Sequence, residues 1–348
     1  MSIRTLGERP TESAALRRPV GARLAWLMAG LALLAVLFVA SLAFGVRDVS
    51  LAEILAGLGG GANGVGEAAV SLRMPRTVLA MLVGAALALS GCAMQAVTRN
   101  PLADPAILGI TPGASLAVVM GIAFFGISSP FSYIGIATLG AAVASVFVYA
   151  VGSMGRGGAT PLKLALAGAA SAAAFTSLVS AILLPRVDIL ETFRFWQIGG
   201  VGGANWDRIL VVAPFLGLGA LICVLSARGM NSLALGDDMA AGLGVRVGQA
   251  RLFAAAGAVI LAGAATAIAG PIGFVGLVVP HLCRLIVGTD HRWLIPFSAV
   301  AGAALLTLAD IIGRVITRPE EIEVGIVTAF IGAPVFIWLV RRQKVREL

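Results

Sequence analysis

The stretch Leu72–Asn100, LRMPRTVLAMLVGAALALSGCAMQAVTRN, carries no charged residue between Arg76 and Arg99. An α-helix needs about 20 apolar residues to cross a hydrocarbon core about 30 Å thick, and this run meets that length. Dividing the rest of the chain at its polar interruptions gives about ten such runs, near 23–45, 75–97, 106–126, 131–152, 162–184, 207–227, 251–269, 272–288, 293–313 and 324–340. Gly and Pro interrupt the third and the eighth. Composition points the same way, since 59% of the 348 residues are hydrophobic and 12% are charged, far from the balance of a soluble domain. The expected fold is an all-α membrane protein: a polytopic bundle of about ten transmembrane helices forming one domain over 23–341. A tail at 1–22 precedes it and a tail at 342–348 follows it, both cytoplasmic. The first apolar run is too long for the core of a signal peptide and is read as a retained span.

Placing the N-terminus inside leaves eight cations outside, Arg47, Arg73, Arg76, Arg186, Arg194, Arg208, Arg314 and Arg318, against seventeen inside, which satisfies the positive-inside rule. The net charge of +8 therefore reads as topology and not as a nucleic-acid surface, because Lys and Arg stand singly at the ends of apolar runs. Cys92, Cys223 and Cys283 lie in separate runs without a CxxC pair and read as buried thiols. The 44 glycines suit close helix packing in lipid. GGGANGVG at Gly59–Gly66 precedes no lysine and reads as a flexible outer loop. RTVLAMLVGAALALSG (Arg76–Gly91) and RLFAAAGAVILAGAATAIAG (Arg251–Gly270) echo one another, each opening a set of four spans in opposite directions, as in an inverted repeat; shared Gly/Ala composition would also produce the echo.

Enzymatic chemistry finds little to work with. His281 and His291 are the two histidines and stand outside any HExxH frame, so no helix-borne zinc pair is signalled. Lys163 and Lys344 follow Leu162 and Gln343, so neither closes a GxxxxGK[ST] phosphate loop. ATP-driven work would need a separate subunit. Coupling to an ion would call for charge at mid-membrane, whereas Asp310 and Arg284 lie nearer span ends.

Two constellations remain. LALGDDMAAGLGVRVGQAR (Leu233–Arg251) is a polar island on the cytoplasmic side, in which Asp237 and Asp238 suit the positive end of a short helix and Gly244 suits its stop. Met239 and Leu243, four apart, share a face. So short a helix is marginal alone in water, and the surface that holds it is either a partner's or the bundle's own. Outside, Arg73, Arg76 and Arg314 are open to two readings: charges that snorkel from span ends, or receivers for acidic residues of an external protein.

Several long motifs resemble one family, the FecCD permeases of ABC importers for iron-siderophores, haem and vitamin B12. LRMPRTVLAMLVGAALALSGCAMQAVTRNPLADPAILGITPGAS resembles the family's second span and following loop, and NSLALGDDMAAGLGV its cytoplasmic coupling segment, taken here as 231–247. GPIGFVGLVVPHLCRLIVGTDHRWLIP, LLTLADIIGRV and EVGIVTAFIGAPVFIWLVRR resemble its C-terminal half, so the likeness covers Leu72 to Arg342. It implies the type II ABC importer permease fold and transport of an iron-siderophore through the cytoplasmic (inner) membrane by alternating access; haem and cobalamin are the alternatives within the family. Its implied partners are a second permease, identical or homologous, two ATPase subunits holding ATP and Mg, and an external substrate-binding protein; this chain itself binds no cofactor or metal. The ATPase contact is expected at Leu235, Gly236, Asp237, Asp238, Met239, Ala240, Leu243, Gly244 and Val245, and binding-protein docking at Arg73, Arg76 and Arg314. The substrate route is expected beside Gly84–Gln95 and Ala165–Ser180. Translocation or gating falls to Gln95, Asn100, Pro101, Gly273, Phe274, Pro280, His281 and Arg284. His281 and Arg284 in VVPHLCR invite a haem-ligand reading, but PHxxR recurs in members with different cargo, which favours a structural or gating role.

Overall fold

Hydrocarbon offers backbone N–H and C=O groups no water, so a chain of this composition satisfies them inside helices. The computed structural model describes residues 19–59, 64–155 and 160–342, and among these it has fourteen α-helices, one 3-10 turn at Pro105–Leu108 and no strand. The helices are α1 (Val20–Ala43), α2 (Leu51–Leu58), α3 (Val65–Thr98), α4 (Ile110–Phe125), α5 (Pro130–Ser153), α6 (Pro161–Leu183) and α7 (Val187–Ile198). They continue as α8 (Trp206–Leu225), α9 (Ala227–Leu233), α10 (Asp237–Gly242), α11 (Val247–Ala269), α12 (Val275–Val287), α13 (His291–Ile316) and α14 (Val324–Arg342). Each of the ten expected runs contains an α-helix. Seven are long and apolar enough to cross a membrane, while α4, α12 and the apolar part of α14 are shorter. Most of both tails and Arg156 lie outside the described residues.

The eighth run is where Gly and Pro matter. The 13 residues of α12 rise only about 20 Å, and its approach, residues 270–274, is not helical. Such backbone is tolerated at depth where protein covers it. Gly199 and Gly270 both have positive φ, +77° and +69°, and a Cβ on either would fall 2.3 Å from a backbone oxygen, that of Pro271 or of Trp196. Glycine there lets the end of α7 lie directly on the entry to α12.

At the centre stands α3. It begins at Val65, ten residues before the span expected at 75, and its 34 residues reach about 51 Å, so its first turns stand clear of the apolar core. They are braced by α2, whose Ser50 and Glu53 form a reciprocal capping box and whose Glu53 lies against Gly66. The loop expected over Gly59–Gly66 is thus shorter: Gly64 caps α3 and Gly66 is inside it, while 60–63 lie outside the described residues. In the most apolar windows, 78% of α3 and 67% of α11 are buried against 11% of α1, so the two segments that carry the sequence echo are the inner helices. They touch directly, Ser90 Oγ donating to the Ala258 carbonyl at 2.6 Å.

Small residues make this approach possible. A Cβ on Gly91 would fall 1.9 Å from the Gly276 oxygen, and one on Gly84 2.3 Å from the Gly302 oxygen, so α12 and α13 pack on α3 backbone to backbone. The stretch Gly84–Gln95, expected near a substrate route, is buried inside the chain apart from Ala85. The other segment, Ala165–Ser180 on α6, keeps an exposed face that includes Leu166 and Leu178. Cys92, Cys223 and Cys283 are buried and unbridged.

Candidate coupling, docking and gating sites

At the cytoplasmic end, α8 gives way to α9 and then to α10, which projects from the bundle. Gly236 turns the chain at φ +101° and Gly244 stops it at φ +79°, the second in the left-handed conformation usual just past a helix end. Asp237 and Asp238 occupy the first turn, where the dipole favours negative charge. Asp237 is held by Arg251 Nη2 at 3.0 Å and by Arg99 Nη2 at 4.0 Å, which pins α10 to the start of α11 and the end of α3. Ala240 is fully buried and anchors the helix from below. Above it Leu235, Met239 and Leu243 are 56%, 62% and 64% exposed. Met239 and Leu243, four apart, share one face, and with Leu235, which precedes the turn at Gly236, they make an exposed apolar ridge along this segment; Val245 is half-buried.

The opposite end gathers the outer arginines. Arg73, Arg76, Arg314 and Glu321 border a recess of about 320 Å³, but each guanidinium is already engaged. Arg314 is only 2% exposed; it donates to the Ser41 and Phe44 carbonyls at 3.0 and 3.2 Å, to Ser41 Oγ at 2.6 Å, and lies 3.0 Å from Asp310 Oδ2. Arg73 donates to the Leu42 and Ala43 carbonyls at 2.8 and 3.2 Å and to that of Arg47. The last carbonyls of a helix have no partner within it, and these two arginines supply the donors for α1. The expectation that Arg314 stands ready for an external carboxylate is therefore corrected: burial removes it from the surface. Arg76 sits between Asp310 Oδ1 at 2.8 Å and Glu321 Oε2 at 2.6 Å. Around the rim, Arg318 pairs with Asp48 at 2.6 Å and holds the Asp48 carboxyl below the usual range. Burial pushes Glu323 up.

The gating candidates fall into two groups. Gln95 donates to the Gly276 and Leu277 carbonyls at 3.2 Å and accepts from Arg284. With Pro101 these two border a cytoplasmic recess of about 200 Å³. Asn100 is beside it and closes a turn through Leu102 N at 2.9 Å. Deeper in the bundle, Phe274 takes φ +68° at the start of α12 and lies over Gly332, Gly273 is exposed, and Pro280 is buried inside α12. His281 is half-buried, its Nδ1 without a hydrogen-bond partner among the described residues. Among those residues no group of three or more His, Cys, Asp or Glu could hold a metal ion. Sequence reasoning missed the neighbours of His291: Asn231 accepts from its backbone N at 2.8 Å and reaches its Nδ1 at 2.9 Å, and Asn231 Nδ2 donates to Asp290 at 2.7 Å. No short-range pattern links residues 60 apart.

A model of the FecCD transport family matches residues 33–342. The ferric enterobactin transport system permease protein of Escherichia coli (strain K12) is 46% identical over 317 residues, 90% of this chain and 94% of that protein. The hemin transport system permease protein of Yersinia pestis is 41% identical over 280 residues, 79% of this chain and 83% of that protein. Among solved structures, one described as an inward-facing conformation of a metal-chelate type ABC transporter superposes with a TM-score of 0.81 at 30% identity, covering 92% of this chain and 99% of that one.

Proposed function

We propose, from the premise that the chain belongs to the FecCD transport family and is a permease subunit of an ABC importer, that its cargo is an iron-siderophore chelate carried across the cytoplasmic membrane. The enterobactin relative supports that cargo. Haem is the second reading, supported by the hemin relative. Energy comes from separate ATPase subunits with bound ATP and Mg, two of them serving a pair of permeases, since neither lysine of this chain closes a nucleotide loop. An external binding protein delivers the chelate to the outer recess. There Arg73 and Arg76 border the recess beside Glu321, and a guanidinium at its rim suits an acidic partner. Arg76, paired with half-exposed Glu321, is the arginine an incoming carboxylate would compete for.

The observation that carries the ATP-driven reading is the ridge of Leu235, Met239 and Leu243. Three exposed apolar side chains over Leu235–Leu243, Met239 inside α10 and one on each flank of it, are costly in water and favour burial in a partner's groove. ATP-dependent closure of the partner then moves α10, and through Asp237 the ends of α3 and α11. The ATPase favours one of two states by contacting them differently. Replacing Leu235, Met239 and Leu243 together by Ser is expected to abolish association with the ATPase while membrane insertion and thermal stability stay normal. ATPase binding at wild-type strength would refute the assignment. Cargo is decided separately, by the affinity of the cognate binding protein for ferric siderophores, haem and cobalamin.

A further inference from the structure

Beside the apolar ridge, Gln95, Arg99, Arg284, Thr289 and His291 border the cytoplasmic recess of about 200 Å³, and no carboxylate is among its lining side chains. Its cations are poorly matched. Arg284 bonds to the neutral Gln95, and among the described residues it makes no ion pair with a carboxylate. Arg99 pairs with Asp237 at 4.0 Å, and that carboxylate lies closer to Arg251 at 3.0 Å. Arg99 also holds φ +50° at the end of α3, a left-handed position where glycine is usual and another residue is strained. Its guanidinium is 39% exposed and so is within reach of a partner. Ala234, on the recess wall, immediately precedes Leu235 at the start of the ridge, so socket and ridge form one continuous surface.

We infer that this recess is a socket for an aspartate or glutamate side chain of the ATPase subunit, received between Arg99 and Arg284. The inference rests on the reading of α10 as the ATPase contact and adds to it the chemistry of the partner: an apolar groove flanked by an acid. The entering carboxylate competes with Asp237 for Arg99, so docking alters the link between α10 and the end of α3, the central helix of the bundle.

The test titrates the ATPase that co-purifies with the permease onto full-length permease in nanodiscs, over a series of salt concentrations. Arg99→Gln is expected to weaken binding about tenfold at low salt, as loss of a partly buried charge contact does, and to flatten the salt dependence. Arg284→Lys, which keeps the charge, retains the salt dependence. The Leu235/Met239/Leu243→Ser variant weakens binding at every salt concentration. If that variant fails to bind while Arg99→Gln matches wild type in affinity and salt dependence, the socket is overturned and the α10 contact stands. If the Ser variant binds normally, the α10 contact itself has failed. Inorganic phosphate at matched ionic strength that stabilises wild type but not Arg99→Gln, with ATPase binding unchanged, would make the recess a small-anion site and also overturn the inference.

Discussion

Asp310 and Arg314 stand one helical turn apart in α13 at 1% and 2% exposure, and this burial gives Arg314 and Arg76 different duties. Without Arg314, Asp310 keeps Arg76 at 2.8 Å but loses the cation at its second oxygen, and a buried carboxylate oxygen left without a partner is destabilising. Arg314→Gln also strips donors from the end of α1, so its expected signature is a large fall in thermal stability. Arg76→Gln removes a partner from Asp310 and from Glu321 at the rim, and its expected signature is a loss of binding-protein docking, relative to wild type, that is larger at low ionic strength than at high. Docking that is indifferent to Arg76 at low salt would leave that residue as a brace only. The sequence made the arginines legible through their sidedness, but not their partners. Arg314 meets Ser41 across 273 positions, and nothing in the local pattern of either segment announces that.

The linker after α1 and the turn between α13 and α14 are tied only by side chains. Arg318 holds exposed Asp48, whose carboxyl pKa lies below the ordinary carboxylate range, chiefly through the hydrogen bond from Arg318. A depressed carboxyl favours the folded state through its charged form. The tie is therefore complete above the unfolded carboxyl's pKa and is lost as pH falls through the lower folded value. Protection of the amides in 317–323, taken relative to their intrinsic exchange rates, is expected to fall in strong acid, and Asp48→Asn is expected to reproduce the fall at neutral pH; equal protection in that variant would count against the tie. Elements with strong local signals were readable: the carboxylates at Asp237 and Asp238 and the stop at Gly244 mark α10 in the sequence as in the structure. α2 was passed over although Ser50 and Glu53 spell a capping box. α7 was passed over because twelve residues carrying Asp188, Glu191 and Arg194 cannot span a bilayer, and only tertiary packing, with Phe193 1% exposed, holds it in place.

At the scale of the molecule, hydropathy located all ten apolar runs because the bilayer imposes both length and helicity. It could not rank them by depth. Runs of similar hydropathy, 2.4 for α1 and 2.0 for α3, differ from 11% to 78% buried, and what separates them is the placement of glycines such as Gly84 and Gly91 against Gly302 and Gly276. The same glycines make Gly84–Gln95, part of a motif that resembles the family, the packed centre of the chain. The chain belongs to a family of transport subunits, and the central claim is that it passes an iron chelate inward only when a partner's ATPase drives it. The most direct measurement is uptake of radiolabelled ferric siderophore into proteoliposomes holding this permease and its co-purified ATPase, with binding protein outside and ATP inside. The account predicts uptake that requires ATP and disappears in the Leu235/Met239/Leu243→Ser variant. Uptake that continues without ATP, or that survives in that variant, would contradict it.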